Sequence, residues 1–287
     1  MANADQRPDV MGGALETAFG VVEKPLGVLE RIYNHSAVRK AVLLLLLAGT
    51  WELYAHYLNN PLLVPAFSSM LVAFWEGVAN GGLAQRALYS IKVLLMGYSA
   101  GLLIAGILTS IAITTRVGTD FLEILTAMFN PLPAIALLPL ALIWFGLGEG
   151  SLVFVLIHSV LWAVALNTHS GFLSVSDTLR MVGRNYGLSG MRYVFKILIP
   201  AAFPNILAGL KIGWAFAWRT LIAAELVFGV SSSSGGLGWF IYANKNELEI
   251  PSVFAGLFAV ILIGLTVENV IFQSIEGATV RKWGMQH

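Results

Sequence analysis

Directly after Arg39-Lys40 the chain runs Ala41-Val42-Leu43-Leu44-Leu45-Leu46-Leu47, and no charge follows until Glu52. A helix built from such a stretch has no polar face to turn toward water. Further apolar segments follow, and the pattern predicts six helices over 39–58, 86–114, 121–145, 151–171, 203–230 and 251–275. Each meets the roughly 20 apolar residues that one bilayer crossing needs. Composition excludes a soluble alternative. Of the 287 residues 57% are hydrophobic and 11% charged, where an ordinary domain carries about 25% charged residues. The expected fold is all-α and integral to a membrane.

The third span carries Pro131, Pro133 and Pro139 and is expected to be kinked or interrupted, its freed carbonyls satisfied by neighbouring helices. Positive charge sets the orientation. Twelve of the 17 lysines and arginines fall on the side of the N-terminus, and the opposite loops hold only Lys245. Both termini are therefore expected in the cytoplasm. Residues 1–38 mix acids and bases without an apolar core of the secretory kind, so the chain is expected to enter the membrane at its first span and keep it. Within that segment Leu15, Phe19, Val22, Leu26, Leu29 and Tyr33 share one helical stripe, which predicts an interfacial helix on the inner leaflet. The domain reading is a cytoplasmic segment 1–38 and a transmembrane domain 39–287. Gly97 and Gly101 in the second span mark a close helix contact.

The long inner loop 174–200 carries the most information. Ser174 with Asp177 reads as a capping box that opens a helix, and Gly187-Leu188-Ser189-Gly190 stops it. A second short helix from about Met191 is expected to end before Pro200. On the first helix Leu179, Val182 and Tyr186 form an apolar row, while Arg180 and Arg184 form a basic one. Such a face suits anionic lipid, a groove in a partner protein or plain solvent.

Gly187, nine further residues and then Ile197-Leu198-Ile199-Pro200 resemble the EAA loop of ABC-importer permeases. The likeness continues through Trp51-Glu52, Asn130-Pro131-Leu132-Pro133, Trp144-Phe145-Gly146, Ala217-Trp218-Arg219 and Ala223-Ala224-Glu225. These are similar to the branch that handles nitrate, sulfonates, taurine and bicarbonate. The resemblance implies a type I importer permease with six transmembrane helices and importing a small anion (aromatic acids included). It implies a second permease copy as a homodimer, two cytoplasmic ABC ATPase subunits that carry ATP and magnesium, and a periplasmic or lipid-anchored binding protein. It places the chain in a bacterial inner membrane. The loop would be the coupling helix, with Asp177, Arg180, Arg184, Tyr186, Gly187 and Leu188 as docking residues. Met181-Val182-Gly183 stands where the family has Glu-Ala-Ala, which shifts polar docking to the arginines and Asp177.

Ionisable groups inside a span normally face a cavity or a partner. Arg219, Asn167, His169 and Glu225 are the candidate pathway residues. Arg219 meets either an anion or an acid among Glu52, Glu225 and Glu268, and Glu225 reads as a structural acceptor as well. His158 and His169 are expected to pack with hydrogen bonds. Glu52 and His56 share a helical face with no third ligand, so no metal site is expected. Ser231-Ser232-Ser233-Ser234-Gly235-Gly236-Leu237-Gly238 lacks the lysine of a phosphate loop and reads as an outer gate, a binding-protein contact or a plain loop. A net charge of +1 speaks against nucleic acid. The rival readings are an ion-driven transporter and a membrane enzyme, and the absence of a catalytic motif speaks against the enzyme.

Overall fold

The computed structural model describes residues 35–227, 235–282 and 284, and no strand occurs among them. The proposed interfacial helix at 15–33 lies outside the described residues. By internal contacts the chain forms two units, Met1–Thr50 and Trp51–His287, with the division inside the first helix. The described part of the first unit is the leucine-rich beginning of that helix, α1 (Ser36–Leu58).

In the second unit α2 (Phe67–Ala79), α3 (Leu83–Thr114) and α4 (Arg116–Phe129) follow. A 3-10 turn (Ala134–Leu137), α5 (Leu138–Phe145), α6 (Glu149–Leu173) and α7 (Asp177–Asn185) come next. The chain then runs through α8 (Gly190–Tyr193), a π turn (Val194–Leu198), α9 (Ile199–Val227), α10 (Leu237–Asn246) and α11 (Ile250–Thr266). A tail of π and α turns continues α11 to Arg281. Among the described residues five helical segments are long and apolar enough to cross a membrane, and the pair α4 and Ala134–Phe145 makes a sixth if counted as one span. The protein is a multi-pass membrane protein.

That pair is bent by 86°, as the prolines foretold. Two of the three prolines stand where a helix can tolerate a missing N–H: Pro133 caps the 3-10 turn, and Pro139 lies in the first turn of α5. At the far end of α5 the Ser151 hydroxyl donates to the carbonyls of Ala141 at 3.0 Å and Gly146 at 2.6 Å. The C-terminal end of α5, rather than the proline break, is thus closed by α6.

The core is organised around α6, where Val155, Val160 and Ala165 have no exposed surface. Two helices reach it through glycines. A Cβ on Gly97 would collide with the side chain of Leu156, and one on Gly101 would lie 2.8 Å from Cβ of Val160. On the other flank, Gly209 and Gly213 of α9 would place a Cβ 2.8 Å from Asn167 and 3.1 Å from Val164. Small residues four apart therefore seat both α3 and α9 on α6. The pair on α9 has the same spacing as the one singled out from sequence, yet it was not expected.

Two expectations about the inner loop are overturned. Ser174 does not open a helix; its hydroxyl donates to Gly171 O at 2.9 Å, closing α6. Ser176 is the N-cap of α7 and accepts from Leu179 N at 3.4 Å, because it is the residue with extended backbone immediately before the first turn. Nor does the second helix stop before Pro200. The π turn, with Ile199 N–H bonded to Val194 O, widens the helix so that it passes the proline ring and continues as α9.

Candidate coupling hairpin and transmembrane cavity

The stretch 174–193 folds as a compact hairpin on the end of α6 and α9. Gly187 has φ +67°, Leu188 N–H bonds Gly183 O at 3.0 Å and Gly187 N–H bonds Arg184 O at 2.9 Å. These two bonds around a left-handed glycine form a Schellman motif, so the role of Gly187 and Leu188 visible in the structure is to end α7. Gly183 lets α7 lie on the following helix: a Cβ there would sit 2.8 Å from the Tyr193 ring and 3.0 Å from Ile197. The hairpin is thereby packed on the start of the π turn that leads into α9.

The arginines divide. Arg180 is half-buried; its Nε donates to Val175 O at 3.0 Å and its Nη2 to Phe172 O at 2.6 Å. It clamps the last carbonyls of α6 and the turn that follows. Arg184 and Asp177 are exposed. Tyr186 is 81% exposed, with Leu179, Met181 and Val182 also open, an apolar surface without a partner among the described residues.

The candidate pathway residues do not converge on one point. Arg219 lines a cavity of about 330 Å³ at the break in the third span, together with Asn130, Pro133, His158, Trp162 and Thr220. Its Nε donates to Ala215 O at 3.0 Å and its guanidinium lies 5.2 Å above the Phe216 ring. None of the three acids considered for it is its partner among the described residues. Glu52 takes Ser68 N–H at 3.0 Å and Ser68 Oγ at 2.7 Å, and so caps α2, with His56 at 3.2 Å. Glu268 faces Lys211 at 4.0 Å, whose nearer partner is Glu276.

Glu225 is buried on the opposite side of α9 and lines neither cavity. Its carboxylate accepts from Ser90 Oγ at 2.7 Å and from Gly238 N–H at 2.8 Å, while Ser90 Oγ accepts from Leu237 N–H at 2.8 Å. Two orphan amides at the start of α10 are satisfied in this way. Arg86 adds a bond to Gly235 O at 2.7 Å. Ser231–Ser234 lie outside the described residues, but the second half of that run, 235–238, is buried and clamped rather than a loose loop. Neither Ser90 nor Arg86 was expected to act here; an isolated serine in a span gives no sequence signal.

Asn167 bonds Ala163 O at 2.7 Å in the seam between α6 and α9 and also lines neither cavity. His169 is 4% exposed and borders a second cavity of about 310 Å³ with Glu123, Thr126 and Asn130. The expected hydrogen bonds are not found for His158: both its ring nitrogens, with Nε2 of His169, Trp162 Nε1 and Thr126 Oγ1, are buried without a partner among the described residues. Both cavities share Asn130 and Pro131, so these unpaired groups gather where the prolines open the third span. Among the described residues no group of three potential metal ligands occurs.

Comparison with known proteins gives a consistent relationship. Residues 97–275 match the family described as binding-protein-dependent transport system inner membrane component. A putative ABC transporter permease of Methanocaldococcus jannaschii is 31% identical over 85% of this chain and 91% of its own. The nitrate import permease NrtB of Synechocystis is 28% identical, covering 85% of this chain and 90% of that one. The taurine transport permease TauC of Escherichia coli is 28% identical over 79% and 82%.

Proposed function

The chain belongs to the binding-protein-dependent transport inner-membrane-component family and is a permease subunit of an ABC importer rather than an enzyme, and from that premise we propose that it passes a small anion and is driven through α7. Relatives named for nitrate, taurine and aliphatic sulfonates support the anion class. The observation that carries the coupling role is the hairpin surface itself. Leu179, Met181, Val182 and Tyr186 present apolar surface to solvent beside the exposed Arg184 and Asp177. An amphipathic helix of this kind fits a groove in a partner. Its packing through Gly183 on Tyr193 and Ile197 links any push on α7 to the base of α9.

The partner is a cytoplasmic ATPase in two copies, which binds ATP and magnesium; a receptor delivers the anion on the far side. Charge asymmetry supports cytoplasmic termini and a cytoplasmic hairpin, and the relatives support a bacterial inner membrane as the location. A second copy of this chain completes the path. The support is Arg219, which lies within an apolar helical stretch, is exposed in the single subunit and has no acidic partner among the described residues. A charge left facing lipid is costly, so it must face a polar path or the other subunit. Both ends of that path are then opened in turn as the ATPase moves the hairpins.

Uptake into proteoliposomes containing permease, ATPase and receptor tests the reading. Replacing Arg184 by Glu should abolish ATP-driven anion uptake while the permease remains folded. Undiminished uptake in that variant, or uptake without any ATPase, would refute it.

A further inference from the structure

We propose that the cavity at the broken span is a substrate site held by the permease itself, and that it takes an oxyanion carrying an apolar group in preference to a bare inorganic anion. The proposal rests on the permease reading above. It adds a binding site to a path, and a chemical class to the substrate.

Buried polar groups nearly always have partners. Here Trp162 is 7% exposed, lines the cavity and leaves its indole N–H unpaired. His158 lines the same cavity with both nitrogens unpaired, and either neutral tautomer offers one N–H donor. Arg219 supplies a fixed positive charge, and no acid lines the cavity. The Arg219 charge, the unpaired indole and imidazole packed around the cavity and the absence of a carboxylate from its lining suit an anionic head. Ring contacts hold the donors in place: Trp162 stacks on Phe129 at 5.4 Å and 11°, and Arg219 is held over Phe216.

The remaining wall differs in character. Beside Asn130, Ser159 and Thr220 it includes the apolar Pro131, Leu132, Pro133 and Ile135, and the two prolines have no N–H to offer. A volume of about 330 Å³ lies at the lower end of sites that take whole small organic molecules, roughly 300–1,000 Å³. A three-oxygen ion would satisfy the donors yet leave this apolar wall against water. An organosulfonate or an aromatic carboxylate covers both. The second cavity shares Asn130 and Pro131 but is lined by Glu123, whose carboxylate would repel an anion.

Equilibrium dialysis of the permease–ATPase complex, without receptor, against butanesulfonate, methanesulfonate and nitrate tests this. Each buried methylene adds roughly fourfold in affinity, so butanesulfonate should bind at least tenfold tighter than methanesulfonate, with nitrate weakest. Trp162→Phe keeps an aromatic ring against Phe129 while removing the N–H and part of the indole; butanesulfonate should then bind roughly tenfold more weakly to a complex that still assembles and unfolds cooperatively. Equal affinities for the three anions, or unaltered binding by Trp162→Phe, would overturn the proposal. Absence of binding in a complex that still performs receptor-dependent, ATP-driven uptake would overturn the internal site alone. Absence of ATP-driven uptake for every anion would instead overturn the permease reading beneath it.

Discussion

Gly187 ends α7 in a left-handed conformation with open space where a Cβ would stand, so its substitution is a matter of backbone rather than of packing. Gly187→Ala should cost about 1 kcal/mol and reduce ATP-driven uptake, whereas Gly187→Asn, a residue that tolerates this region, should retain most of it. Equal uptake by the two variants would contradict this origin. The two arginines of α7 separate in the same way. Arg180→Ala removes bonds to Phe172 and Val175 carbonyls and should lower the unfolding temperature, while Arg184→Ala should leave it unchanged and impair uptake. The Glu225 cluster offers a third contrast. Glu225→Ala strands Ser90 and the Gly238 amide in the interior, an expected loss of about 2–5 kcal/mol that a melting curve in detergent would register.

At the level of helices the glycine seams set the packing around α6. Gly97→Val should cost about 1–3 kcal/mol or more, because its Cβ collides with Leu156. Gly106→Val on the same helix meets nothing within 4 Å and should be nearly neutral. Thermal unfolding of the pair measures the difference. Much of this level could be read from sequence: the apolar spans, the break at Asn130-Pro131-Leu132-Pro133 and the Gly97/Gly101 seam all follow from residue type and spacing. The π turn before Pro200 could not, since apolar periodicity is almost the same for an α and a π turn over five residues. The helix start at Ser176 rather than Ser174 shows a similar limit; two serines two residues apart offer the same capping chemistry, and only the backbone chooses. The surroundings of Arg219, Glu225 and His158 were also out of reach, because a helical pattern tells which face a side chain occupies and not what lies opposite.

In the whole molecule, the chain carries no nucleotide-binding motif, and among the described residues α7 is an exposed, amphipathic and firmly braced helix on which the proposed drive would act. The unpaired donors at the broken span lie on the other side of that mechanical link, along α6 and α9. The central claim is that α7 is the contact through which a separate ATPase drives this permease. The natural sequence contains no cysteine, so a single Tyr186→Cys change gives a unique thiol at the exposed edge of the hairpin. Site-specific cross-linking of that thiol in the assembled complex is the most direct measurement. The account predicts a cross-link to the ATPase, formed only by reagents with access to the cytoplasmic side, and loss of ATP-driven uptake once it forms. Labelling of Cys-substituted Tyr186 by an impermeant reagent from the opposite side, or uptake that continues after the hairpin has been tied to another protein surface, would contradict it.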